Sequence, residues 1–121
     1  MTLEELYNYC NTQDGVTTKT PFGKFARRYD SILVFYVLDH MFCIIDMNNF
    51  TFVNVKTTPD KDIELLETRT SASRPLNPGL RYWIQINFNG DIPDSEIYSL
   101  VKQSYEIIKT KYTKKSNKKQ L

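Results

Sequence analysis

His40 is the only histidine in the sequence, and most of the chemistry a chain of this kind could perform goes with that count. No site needing two imidazoles can be built, and a metal centre has few ligands to draw on. Cys10 and Cys43 lie far apart and form no C-x-x-C pair, so neither a zinc cluster nor a redox motif is indicated, and both read as reduced, buried thiols. A Ser-His-Asp or Cys-His arrangement would have to recruit His40, yet no nucleophile elbow or cysteine-enzyme signature is present; between two apolar runs it reads as a solvated turn residue. No G-x-x-x-x-G-K-[ST] or G-x-G-x-x-G run occurs, and with four glycines in all a phosphate loop has no support. Asp60, Asp62, Glu64 and Glu67 form the densest acidic run, which reads as a solvated helix face whose first carboxylates suit the positive helix end. The expectation is a chain that binds, with no enzyme activity, no cofactor and no metal.

Cations and aromatics are the residues left to do the binding. Lys24, Arg27 and Arg28 cluster ahead of the first strand, and Lys109, Lys111, Lys114, Lys115, Lys118 and Lys119 form a second cluster at the end. Phosphate contacts need grouped Lys and Arg that can reach a polyanion. Residues 1–100 carry nine basic against thirteen acidic side chains, whereas residues 101–121 carry seven against one. That asymmetry suggests an anionic partner for the C-terminal segment. A third group combines Lys56, Arg74 and Arg81 with Tyr82 or Trp83, either of which could line a shallow pocket; strand alternation sets the two rings on opposite faces, and Trp83 equally suits a core or cross-strand position. No base-reading motif accompanies these cations, so binding to double-stranded DNA would be largely insensitive to sequence. The acidic body and the many aromatics support the alternative of a protein-interaction or small-ligand module.

These side chains are positioned by elements the periodicity marks out. Leu3, Leu6, Tyr7 and Cys10 share a helical face, with Thr2 and Glu5 spaced as a capping box, and a helix over about 2–12 follows. Thr17 to Thr20, Pro21 and Gly23 read as a loop. Ile32–Leu38, Met41–Asp46 and Thr51–Lys56 are rich in β-branched and aromatic residues, and links this short join only antiparallel neighbours. Thr58-Pro59 opens a short helix over about 59–68, Ser71–Gly79 reads as a surface loop, and Tyr82–Phe88 as a fourth strand. Pro93-Asp94 starts a last helix with the apolar face Ile97, Leu100, Val101, Tyr105, Ile108 and Tyr112. The prediction is an α+β fold: an antiparallel sheet of about four strands against N- and C-terminal helices, as one domain over 1–112, followed by a flexible basic tail over 113–121. No leader pattern or apolar run of membrane-spanning length is seen, which points to a cytoplasmic protein with no membrane partner, and a monomer is favoured.

Read in order, Pro21-Phe22-Gly23, His40-Met41-Phe42, Val53-Asn54-Val55-Lys56, Arg81-Tyr82-Trp83, Asn89-Gly90-Asp91-Ile92-Pro93-Asp94 and Ser104-Tyr105 resemble the signatures of the MmcQ/YjbR family of small bacterial proteins over nearly the whole chain. The resemblance implies an antiparallel sheet flanked by terminal helices, similar to the CyaY-like fold, and a DNA-binding role. The chain departs from the family pattern at His40, where a Lys usually precedes Met-Phe, and at Gly79-Leu80, where Asn-Lys is favoured.

Overall fold

The computed structural model describes residues 1–77 and 79–120, with the side chains of 114–120 outside the description. Helix α1 (Leu3–Asn11) starts at the expected capping box: Thr2 Oγ1 accepts from the Glu5 amide, and the Glu5 side chain accepts from the Thr2 amide. The strands are β1 (Val16–Lys19), β2 (Ile32–Val37), β3 (His40–Asp46), β4 (Phe52–Lys56), β5 (Ala72–Ser73) and β6 (Trp83–Asn87). They form one antiparallel sheet in the order β1-β2-β3-β4-β6-β5. Helix α2 (Pro59–Thr68) begins after the Thr58 cap, whose hydroxyl accepts from the Lys61 amide, and α3 (Asp94–Gln120) crosses the sheet.

The four predicted strands are present, and the sheet gains one short strand at each edge. Thr17 to Thr20 had read as loop, yet Val16–Lys19 pairs with β2; Ala72–Ser73, inside the predicted surface loop, pairs with β6. Neither stretch carries an apolar alternation of its own, because an edge strand is held mainly by its neighbour's backbone. The turn between β2 and β3 is Leu38-Asp39, both at positive φ, as a two-residue hairpin of right-handed twist requires. His40 is therefore the first residue of β3, a correction to its reading as a turn residue. The backbone of α3 runs helically to Gln120, with neither Gly nor Pro following Pro93 to stop it.

A large core lies between the sheet and the helices: Leu6 and Cys10 from α1, Leu65 from α2, and Ile97, Leu100, Val101, Tyr105 and Ile108 from α3 close over Phe35, Phe42, Ile45, Val53, Val55, Ile84 and Ile86. Cys10 and Cys43 meet there, and burial first, with the neighbouring Cys10 thiol, pushes the Cys43 thiol well up, so it stays protonated. A smaller cluster of Val34, Ile44 and Trp83 occupies the opposite face, packed by Phe22 and Leu80 from loops. Among the described residues no helix is long and apolar enough to cross a membrane.

Two side chains lock α3 and its approach. The strand pairing shifts so that Tyr36 opposes Met41 while Phe35 opposes Cys43, leaving Phe42 as a bulge whose side chain joins Cys43 in the main core. The interrupted ladder leaves backbone groups that Ser104 satisfies: its buried Oγ accepts from Lys56 N at 2.9 Å and donates to Phe42 O at 2.5 Å. Ahead of α3, the Asp91 carboxylate accepts from the Thr70 amide at 2.8 Å, the Ser71 amide at 3.0 Å and the Ser71 hydroxyl. Gly90 makes this approach possible, because a Cβ there would stand 2.7 Å from Ser71 Cβ and Oγ. The Ser71 hydroxyl, then the Ser71 and Thr70 amides, hold the Asp91 carboxyl well below its ordinary 3.8.

Replacing Ser104 by Ala strands a part-buried N–H and a buried C=O together, and urea unfolding is expected to show a loss of about 1–3 kcal/mol. Because the folded pKa of Asp91 is depressed, its contribution to stability is complete above pH 3.8 and fades as pH falls below that toward the folded value. Urea midpoints of wild type and Asp91→Asn should therefore differ at pH 7 and converge as the pH drops below 3.8.

Candidate functional site

The end of the sheet where β4 stops and β6 begins gathers charge from three elements. Lys56 is the last residue of β4; its amide is engaged by Ser104, and its side chain turns across the strand end so that Nζ donates to Arg81 O at 2.7 Å. Tyr82 precedes β6 in a left-handed conformation, φ 61°, which its carbonyl secures by accepting from both the amide and the hydroxyl of Thr57 at 2.8 Å. A backbone of that kind persists in a bulky residue only when its surroundings over-determine it. Lys56 Nζ lies 5.4 Å and the Arg81 guanidinium 4.8 Å from the centre of the Tyr82 ring.

Lys111, two turns beyond Ser104 on α3, completes the group. Burial first, then the charges of Lys111 and Arg81, push the Lys56 amine below its ordinary value, with Asp62 opposing them. Among the described residues no carboxylate stands within ion-pair distance of Lys56, Arg81 or Lys111. Two cations thus stand over one half-exposed ring, and the charge of Lys111, itself over the Tyr112 ring, reaches Lys56, with no carboxylate at ion-pair distance among the described residues. Such a site suits an anion with several oxygens, and a flat group able to meet the ring.

Of the residues singled out in the sequence, Lys56, Arg81, Tyr82 and Lys111 come together here. Arg74 lies beside them but is engaged, its guanidinium 3.3 Å from Asp62. Trp83 does not line the pocket; it is 6% exposed, in register with Lys56 on the face away from the helices, and belongs to the small core there. Tyr82 lies outside β6, so its direction follows from φ rather than from strand alternation. Lys109 sits 5.4 Å over the buried Tyr105 ring, and its ammonium is held up by the Tyr105 hydroxyl. Lys24, Arg27 and Arg28 form a separate group around a 3₁₀ turn (Arg27–Tyr29). The side chains of Lys114 and Lys115 lie outside the described residues.

Asp62 is a second residue that sequence reasoning placed wrongly. It was read as part of a solvated acidic face, but it is 1% exposed, and neither carboxylate oxygen has a hydrogen-bond partner among the described residues. The signal was its spacing to Leu65 and Leu66, which puts it on the inward side of α2. His40 stacks on Tyr112, ring centres 3.3 Å apart and planes within 4°, beside Lys111. A shallow groove between α2 and α3, lined by Thr58, Ser99, Lys102, Gln103, Glu106 and Ile107, balances a Lys with a Glu and has no cationic character. Among the described residues no three His, Cys, Asp or Glu gather as a metal site.

Comparison with known proteins agrees with this architecture. A YjbR family model matches residues 12–107. The chain belongs to the YjbR family. The uncharacterized protein YjbR of Escherichia coli K12 is 32% identical over 110 residues, covering 88% of this chain and 86% of that protein. A crystal structure of a Pseudomonas syringae protein matches with TM-score 0.69 at 17% identity, over 89% of this chain and 99% of the other. A crystal structure of a Deinococcus radiodurans protein with a DUF419 domain matches with TM-score 0.71 at 22% identity, over 88% and 78%. Within this YjbR-family fold, the signatures His40-Met41-Phe42, Val53-Asn54-Val55-Lys56 and Ser104-Tyr105 converge on one place: the Ser104 bridge that seats Lys56.

An NMR titration of the lysine Cε groups tests the crowding. Lys56 is expected to titrate below Lys109; Lys111→Ala or Arg81→Ala should raise it, and Asp62→Asn should lower it further. A Lys56 amine that ignores all three substitutions would contradict the arrangement.

Proposed function

We propose that this YjbR-family chain is a non-enzymatic module that binds double-stranded DNA through its phosphate backbone, largely independently of base sequence. The observation that carries the reading is the convergence of Lys56, Arg81 and Lys111, from a strand, a loop and a helix, with no carboxylate at ion-pair distance among the described residues and with the charged Lys56 amine disfavoured first by burial and then by its neighbours' charge. Cations that repel one another gain most from a polyanion, which neutralises several at once and releases its own counterions. Beyond Lys111 the sequence adds Lys114, Lys115, Lys118 and Lys119, which raises the positive charge of the C-terminal segment that a polyanion would meet. The sequence shows no base-reading motif, and contacts limited to phosphate position a duplex without specifying its sequence.

Fluorescence anisotropy with labelled duplexes of unrelated sequence tests this. If about four phosphates are neutralised, affinity should fall ~100-fold between ~50 and ~200 mM salt, and equally for every duplex. Lys56→Ala combined with Arg81→Ala should weaken binding of all duplexes alike and reduce the salt slope by about two. No binding at ~50 mM salt, or an unchanged slope in the double variant, overturns the reading.

A further inference from the structure

Among the described residues, no α-helix packs on the face of the sheet turned away from α1 and α3. The register lines up Lys19, Val34, Ile44, Asn54 and Gln85 across that face, and only Phe22 and Leu80, from the loops before β2 and β6, close over its centre. The loop before β2 then leads outward instead of folding its remaining aromatics in. Phe25 is 72% exposed and Tyr29 38%, while Tyr36 on β2 is half-buried at the edge of the small core.

Each of these rings carries a cation. Lys19 Nζ lies 5.3 Å from the Tyr36 ring centre, Lys24 Nζ 5.1 Å from Phe25, and the Arg28 guanidinium 4.9 Å from Tyr29, whose hydroxyl it also contacts at 3.1 Å. From Lys19 to Tyr29 the chain carries Lys19, Lys24, Arg27 and Arg28 and no acidic residue. Among the described residues none of the four makes an ion pair with a carboxylate. Three ring-and-cation pairs and a fourth cation therefore lie on β1, on β2 and in the loop that joins them, whose Phe22 packs on the uncovered face.

We propose that this face binds an unpaired nucleic-acid strand, its bases stacking on Phe25, Tyr29 and Tyr36 and its phosphates held by Lys19, Lys24, Arg27 and Arg28. Rings and cations in alternation are what a single strand needs, because every unpaired base offers a flat face and every nucleotide a phosphate. A duplex keeps its bases stacked on one another and cannot meet these rings. Aromatic residues and Arg are also enriched at protein interfaces, so the salt dependence of phosphate contacts is what separates a nucleic-acid strand from a protein partner here. The inference takes only its ligand class from the duplex reading above; the residues are different ones.

The test compares a labelled oligothymidylate of about 15 nucleotides with a duplex, by anisotropy at ~50 mM salt. Phe25→Ala and Tyr29→Ala are each expected to weaken the single strand about five-fold or more and to leave duplex affinity unchanged, with Phe25→Trp retaining it. Lys24→Ala with Arg28→Ala should weaken the single strand and flatten its salt dependence, whereas Lys56→Ala with Arg81→Ala should act on the duplex. Both rings are surface residues, and matching unfolding midpoints would show that the variants fold. Single-strand binding that ignores Phe25→Ala and Tyr29→Ala, or its absence while the duplex binds, overturns the inference and leaves the duplex reading standing. Binding to phosphatidylserine-containing vesicles that needs Phe25, with none to the oligothymidylate, would assign the face to a membrane surface and overturn it as well.

Discussion

The hydroxyl of Ser104 accepts the backbone proton of Lys56 and gives its own to the carbonyl of Phe42, and much of the molecule's arrangement depends on that exchange. The bulge at Phe42 takes β3 and β4 out of pairing one step early, since their ladder runs only from Ile45–Val53 to Cys43–Val55. A buried N–H and C=O left by such a break would be costly in an apolar interior. Ser104 takes the place of the missing rung, and in doing so fixes the rotation of α3 over the sheet. Ile97, Leu100, Val101, Tyr105 and Ile108 then fall toward the core.

Charge follows from the same seating. With its amide held by α3, Lys56 has to leave the strand end sideways, where its amine meets Arg81 and the Tyr82 ring, and Lys111 arrives two turns along the helix that Ser104 anchors. Thr57 keeps Tyr82 in its left-handed backbone, and Arg74 is drawn off by Asp62. The positive charge at this end is thus a consequence of how helix and sheet are joined, and a substitution in the joint shifts that charge as well as the stability. Asp91 does the corresponding work at the other end of α3, holding the chain against Ser71 before the helix begins.

The two faces of the sheet have divided the tasks. One receives nearly all the helical packing and both cysteines. The other is finished by two loop residues over Trp83, Val34 and Ile44, and keeps aromatic rings with cations at its margin. That margin is exposed because the chain between β1 and β2 forms only a 3₁₀ turn and offers no helix to cover it.

By itself the sequence determined the elements whose signals are local: the Thr2 capping box, the Thr58-Pro59 start, four strands and the apolar face of α3, because capping and periodicity act within a few residues of chain. The MmcQ/YjbR signatures were legible too, as was the grouping of Lys56, Arg81 and Tyr82. Edge strands β1 and β5 were not legible, since their pairing energy belongs to their neighbours, and neither were the burial of Asp62, the stacking of His40 on Tyr112 or the meeting of Cys10 with Cys43. Those contacts join residues distant along the chain. Only the packing of α3 and α2 on a bulged sheet decides which of them form, because burial and charge proximity are properties of the assembled layers and not of any one segment.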